Sequence, residues 1–218
     1  MASSFISIEG GEGAGKSTSI EYIRQKLEAC GIECVVTREP GGTPMAEDIR
    51  QLLLQHRDEI VDPYTELLLM FASRRQHVEN VIRPALASGK WVVCDRFTDA
   101  SFAYQGFGRG LDKDFITSLK HWVHGDLTPH MTLLFDLDIN IGMERAGKRS
   151  NFDRIETEQT SFFERVRQGY LTQANDEPQR YRIVDASQSI NHVENQVDNF
   201  LMPLLASSKA ASLLASGH

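Results

Sequence analysis

Gly10-Gly11-Glu12-Gly13-Ala14-Gly15-Lys16-Ser17 decides the reading of this chain. It satisfies GxxxxGK[ST], and its flanks are the ones that give the pattern meaning. Phe5-Ile6-Ser7-Ile8 before it is a short apolar run of strand character, and a helical pattern begins near Lys16. Glycines let the backbone turn tightly and aim successive N–H groups at phosphate oxygens, and the helix N-terminus adds the positive end of its dipole. Lys16 is placed to bridge β- and γ-phosphates, and the Ser17 hydroxyl to sit on Mg2+. A chance glycine-rich turn would lack the strand and the helix. The stretch Gly10, Gly11, Glu12, Gly13, Ala14, Gly15, Lys16, Ser17 and Thr18 therefore implies a bound nucleoside triphosphate.

Outward from this loop, short apolar runs alternate with longer helical patterns. Strands are expected at 5–8, 34–37, 91–95, 131–137 and 181–184, and helices at 16–29, 44–55, 64–88, 112–124, 139–146, 159–174 and 190–205. The alternation reads as βαβ units with right-handed crossovers. Strands apolar on both faces suit a sheet covered by helices. The expected class is α/β, a P-loop NTPase fold with a five-stranded parallel sheet flanked by helices. No internal repeat and no Pro/Gly-rich linker divides the chain, so one domain over 1–206 is expected, with a flexible tail over 207–218. The basic stretch 145–154 breaks the helical pattern and reads as a mobile lid loop, about 145–156.

With 218 residues, 41% apolar and 24% charged, the chain has the composition of an ordinary globular protein, which excludes wholesale disorder. A net charge of −7 argues against coating nucleic acid or anionic lipid, while leaving room for a local basic pocket. Cys30, Cys34 and Cys94 are an odd, sparse set without a CxxC pair, which suits reduced thiols in the cytoplasm. The first residues have neither a basic start nor a long apolar core, and the longest apolar stretch, near 67–72, is too short to span a bilayer.

Absences narrow the class of nucleotide-binding protein. No Asn-Lys-x-Asp reads guanine, and no apolar strand ends in the Asp-Glu pair of motor ATPases. Trp91-Val92-Val93-Cys94 ends instead in Asp95-Arg96, at the strand end that faces the ligand crevice of an open sheet. A guanidinium there grips a second phosphate bidentately. Two phosphate grips at one sheet edge point to transfer between two nucleotides rather than hydrolysis.

At this point the residues become recognisable. The P-loop, Thr37-Arg38-Glu39-Pro40-Gly41-Gly42-Thr43, Phe71-Ala72-Ser73-Arg74, Asp95-Arg96-Phe97, Ala103-Tyr104-Gln105-Gly106 and Asp153-Arg154-Ile155-Glu156 stand in order and spacing. Over essentially its whole length the chain resembles the thymidylate kinases of the bacterial kind, with basic residues in the lid. The resemblance implies phosphoryl transfer from ATP to dTMP, giving dTDP and ADP in dTTP biosynthesis, with Mg2+. It implies that Arg96 holds the dTMP phosphate and that Asp95 serves the metal, with Ser17, and orients the acceptor. Arg38 and Glu39 would lie near that phosphate, and Glu9 and Pro40 would also bind the substrate. Arg74 would meet the thymine edge and Phe71 its face, with Met70 in the neighbouring slot. Ser101 would read the pyrimidine N3 side, Tyr104 would crowd the sugar 2′ position, and Gln105 would line the cleft. Glu12 and Gly13 bring no guanidinium from the P-loop, so Lys148, Arg149 and Arg154 would supply it from the lid, Arg149 or Arg154 as the catalytic arginine. Arg145 would stack on adenine. The apolar faces of 66–86 would form the two-fold interface of a homodimer.

Blander readings stand beside these. Arg74-Arg75 and the lid cluster could be solvated surface, and Asp95 could cap a helix. His121 and His124 read as an ordinary surface pair, and Trp91 and Trp122 as core or interface packing. The rival functions are another nucleoside monophosphate or deoxynucleoside kinase, a nucleic-acid-stimulated ATPase, and a nucleotide-binding switch without turnover.

Overall fold

The computed structural model describes residues 3–147 and 153–215, with side chains up to 207. Five strands, β1 (Phe5–Gly10), β2 (Cys34–Arg38), β3 (Trp91–Asp95), β4 (Met131–Asp136) and β5 (Tyr181–Asp185), form one parallel sheet in the order β2-β3-β1-β4-β5. This is the expected architecture, and each strand lies within two residues of its expected bounds.

Alternation on the strands builds two cores. Ile6 and Ile8 of β1, Val93 of β3, and Leu133 and Phe135 of β4 pack under α1 (Lys16–Ala29), through Ile20, Ile23 and Leu27. Val197 and Leu201 join that cluster from α9 (Ile190–Ala215). On the other face Phe5, Val92 and Cys94 meet Val78, Ile82 and Ala85. Each such fully buried aliphatic side chain contributes about 1.5–3 kcal/mol.

The register sets the active edge. Arg38 lies beside Asp95, and Asp95 beside Ile8, at the strands' C-terminal ends. The ladder continues one residue further, with Glu39 N donating to Asp95 O and Arg96 N to Ile8 O, both at 2.9 Å. Three chain segments therefore leave the sheet along one line.

The helical rod expected at 64–88 is three pieces: α3 (Pro63–His77), a π-helical turn (Val78–Ile82) and α4 (Arg83–Ala87). Asp62 caps it by accepting from Tyr64 N and Thr65 N, both at 3.0 Å, with Pro63 as its first residue. Pro84 lacks an N–H and crowds the turn before it, and the looser π-helical turn stands there. Thr43 caps α2 (Pro44–Leu54), and Asp112 caps α6 (Lys113–His124).

One segment was absent from the expected elements. α5 (Thr98–Ser101) continues into a π-helical stretch, Phe102–Gly108. Gly106 and Gly108 disguise it, because glycine weakens a helical pattern. Packing explains Gly108: a Cβ there would stand 2.6 Å from the Phe162 ring of α8 (Thr160–Asp176). The fit is reciprocal, since a Cβ on Gly169 of α8 would stand 2.8 Å from the Phe107 ring.

Two further expectations are corrected. The last helix runs to Ala215 rather than ending at 205, since residues 204–215 hold neither glycine nor proline. His121 and His124 are not a surface pair: His124 is buried, and its Nε2 shares a hydrogen bond with Thr98 Oγ1 at 2.7 Å. Burial, aided by the charge of Arg74, pushes the His124 ring down to about 4. Trp91 is fully buried, whereas Trp122 is 86% exposed.

Candidate active site

The C-terminal edge of the sheet opens into a cavity of about 550 Å3. Six cationic side chains line it, Lys16, Arg38, Arg50, Arg74, Arg96 and Arg145, against five carboxylates, Glu12, Glu39, Asp95, Asp153 and Glu156. A chain of net charge −7 thus concentrates positive charge at one place, as phosphate binding requires.

Glu12 through Thr18 form one wall. α7 (Ile139–Gly147) packs on this loop at contact distance: a Cβ on Gly13 would stand 2.1 Å from Gly142 O. Lys16 Nζ donates to Gly10 O at 3.1 Å and Gly11 O at 2.6 Å, and burial lowers its pKa. Gly10 and Gly11 themselves lie on a smaller cavity between β4 and α8.

Arg96 is the one described non-glycine residue with positive φ, at 67°, a conformation that costs about 1–3 kcal/mol and clusters at functional sites. Its guanidinium pairs with Glu12, donates to Tyr170 Oη at 3.2 Å, and stacks 4.8 Å from the Tyr104 ring centre. Next to it, Asp95 Oδ1 is buried without a hydrogen-bond partner among the described residues. A buried, unpartnered carboxylate oxygen beside Lys16 and Ser17 is the donor chemistry a hard divalent cation takes. The residues present therefore suit Mg2+.

The opposite wall is a buried polar array. Glu39 accepts from Arg74 Nε at 2.6 Å and pairs with His77 Nδ1 at 2.9 Å. Burial opposes ionisation of Glu39, yet Arg74 and His77 outweigh it and hold its carboxyl below the usual range. Arg74 also donates to Ser101 Oγ at 3.0 Å and Phe97 O at 3.2 Å. Ser101, Tyr104 and Gln105 line the cavity from the segment absent from the expected elements, and Pro40 and Arg38 complete the rim. Arg145 lies at the far end, donating to Ala186 O at 3.0 Å.

Besides Gly10 and Gly11, three expected residues lie elsewhere. Phe71 points into the core with Leu67 and Ile116, because the helix turns it away from the cavity. Its ring instead supports the Arg74 guanidinium at 4.6 Å, and Met70 lines the cavity. Glu9 is fully buried beneath the site, accepting from Phe97 N at 2.7 Å and Tyr170 Oη at 2.8 Å. Burial, and then the charge of Asp99, raise its pKa to about 8. Arg154 turns its side chain out of the cavity: Nε donates to Leu53 O at 2.9 Å, and one NH2 group to Glu66 Oε2 at 2.6 Å. Lys148 and Arg149 lie outside the described residues.

The reading also missed members. Arg50 enters from α2, donating to Pro40 O at 2.9 Å, and on sequence it resembled any polar residue of an amphipathic helix. Tyr170 stands between Arg96 and Glu9, at a register of α8 that nothing in the sequence marks.

The thymidylate kinase family profile matches residues 8–197. A thymidylate kinase of Pseudomonas fluorescens is 53% identical over 209 residues, covering 96% of this chain and all of that one. One from Pseudomonas syringae pv. tomato is 54% identical over 205 residues, covering 94% and 98%. The chain belongs to the thymidylate kinase family. A solved thymidylate kinase from Ehrlichia chaffeensis superposes with a TM-score of 0.71 at 33% identity, covering 92% of this chain and 99% of that one. The family reaction, phosphorylation of dTMP to dTDP by ATP, is the activity of this chain.

Proposed function

We propose that the dTMP phosphate takes the place of Glu12 on Arg96, and that the base lies against Arg74, Ser101 and Met70. What supports this most is the array around Arg74, a buried guanidinium fixed by Glu39, Ser101 and Phe97 with its edge on the cavity. Tyr104, stacked on Arg96, then stands beside the sugar and disfavours a 2′-hydroxyl. The triphosphate of ATP lies along Glu12–Thr18, where Lys16 exchanges the carbonyls of Gly10 and Gly11 for phosphate oxygens, and Arg145 covers the adenine.

A phosphate monoester is largely a dianion at neutral pH, with its second pKa near 6, so the acceptor oxygen needs no general base. An acceptor oxygen–Pγ bond forms as the Pγ–O bond to the β-phosphate breaks. The chain's share is alignment and charge stabilisation. Ser17 and Asp95 would hold Mg2+, which supplies charge neutralisation on the β- and γ-phosphates. Arg149 or Arg154 brings the lid guanidinium to the transferring group. For Arg154 this means leaving Glu66.

The same proposal takes residues 1–206 as one nucleoside monophosphate kinase domain with a lid near 145–156. It also makes the enzyme a homodimer. Tyr64 and Leu68 of α3 and Phe115 and Trp122 of α6 are exposed, with the Tyr64 and Phe115 rings 5.8 Å apart, an apolar face suited to a second copy. The three cysteines are free, in keeping with a cytoplasmic setting. No helix among the described residues is long and apolar enough to cross a membrane.

A coupled ADP-release assay with MgATP and dTMP, dUMP, UMP, dCMP, AMP and GMP tests the reading. ADP release dependent on dTMP, with UMP far poorer, is the expected result. Preference for another monophosphate would overturn the Arg74, Ser101 and Tyr104 roles.

A further inference from the structure

Behind the acceptor wall lies a histidine that phosphoryl transfer does not use. His77, at the end of α3, is fully buried and stands outside the cavity lining. Its ring is held on three sides. Nδ1 is 2.9 Å from Glu39 Oε1, and Nε2 is 2.7 Å from Thr37 Oγ1. A Cβ on Gly42 would stand 2.4 Å from the ring's Cδ2, so the loop after β2 closes directly over it.

The contacts join into one chain. Thr37 holds His77, His77 holds Glu39, Glu39 holds Arg74, and Arg74 donates to Ser101. It runs from β2 through α3 to α5, and its last three members line the cavity. Arg74 fixes only one oxygen of the Glu39 carboxylate. A carboxylate held at one oxygen still turns about its last bond, and the Arg74 Nε contact shifts with it, while Ser101 and Phe97 hold the other two guanidinium nitrogens. The second oxygen is held by His77. For that bond Nδ1 carries the proton, since an ionised carboxylate only accepts, and Nε2 shares a hydrogen bond with the Thr37 hydroxyl.

We propose that His77 is a positioning residue for acceptor selection: by holding the second oxygen of Glu39 it presets the Arg74 guanidinium for the base before the nucleotide arrives. The inference rests on the reading that Arg74 meets the base of dTMP. Preset geometry raises affinity because ordering that would otherwise accompany binding is already in place. His77 touches no substrate, so its loss weakens acceptor binding and leaves the donor side alone.

The test compares H77L, H77N and T37V with wild type and R74K, measuring KM for dTMP and ATP, kcat and Tm. Leucine fills the space without a donor, asparagine places an amide nitrogen where Nδ1 stands, and valine replaces the Thr37 hydroxyl by a methyl group. H77L should raise the dTMP KM about tenfold, the worth of one hydrogen bond to a charged group, with kcat and the ATP KM within about twofold. H77N should recover most of the loss, and T37V should raise the dTMP KM about threefold. A purely structural role would move Tm without that split between the two substrates. If R74K raises the dTMP KM and H77L leaves it unchanged, the inference falls and the base-site reading stands. If R74K also leaves it unchanged, both fall. Should H77L fail to accumulate, T37V decides, and a wild-type dTMP KM there overturns the proposal.

Discussion

Two buried glutamates, Glu39 and Glu66, are each bound by arginines, and they do opposite things. Glu39 fixes Arg74 within one wall, and the guanidinium keeps an edge on the cavity. Glu66 accepts from Gln105 at 2.9 Å, Arg109 at 3.1 Å and Arg154 at 2.6 Å, and so ties the far base of the lid to α3. Arg109 also pairs with Glu158, just beyond that base. The first array is the preformed acceptor side of the proposed site. The second holds Arg154, the proposed lid arginine, against α3, and releasing it leaves Glu66 still bound by Arg109 and Gln105. On the proposed assignment, the acceptor side is organised before substrate arrives, and the charge that completes the transfer site waits on the lid. Late arrival of that charge also limits transfer to water, since the site is complete only when closed.

The largest expected effect is on the donor side. K16A should lower kcat by roughly 10³ or more, since it removes a charge aimed at the transferring group. Steady-state ADP release at saturating MgATP measures it, and dTMP binding should be untouched. R149A and R154A come next. By analogy with arginine fingers, at least one should lose on the order of 10²–10⁴ in kcat while the dTMP KM holds. Wild-type turnover in both would remove the lid from the account.

Neutralising each glutamate separates the two arrays. E39Q should raise the dTMP KM about tenfold or more, because Arg74 loses its charged partner. E66Q should leave the dTMP KM alone and lower stability by about 1–3 kcal/mol, read as a shift in denaturation midpoint. The smallest effect concerns pH. Burial depresses the folded pKa of His124 to about 4, so the unfolded chain takes up that proton first as pH falls. Its stability contribution is complete above about 6.5 and is lost between there and 4, and H124Q should flatten the decline of Tm over that window.

The sheet, its partner helices and the glycine loop between β1 and α1 were legible because period-two apolar runs and a glycine loop are local signals. Asp95-Arg96 was legible because a strand end in an open sheet has a known outlook. That Phe71, Glu9 and Arg154 stand outside the cavity lining was not legible, for a different reason. Which face a helix turns, and which partner a long side chain takes, depend on tertiary packing: Met70 faces the cavity, and Arg154 finds Glu66, 88 residues away in the chain. The helical segment over 98–108 was hidden by its glycines, of which Gly108 admits the Phe162 ring.

The most direct test is calorimetric titration of dTMP, without ATP, into wild type, R74K and R154A. A preformed acceptor side predicts about tenfold or greater weakening in R74K and an unchanged Kd in R154A. Equal weakening in both would mean that the lid helps build the acceptor site, and the separation drawn between Glu39 and Glu66 would fail.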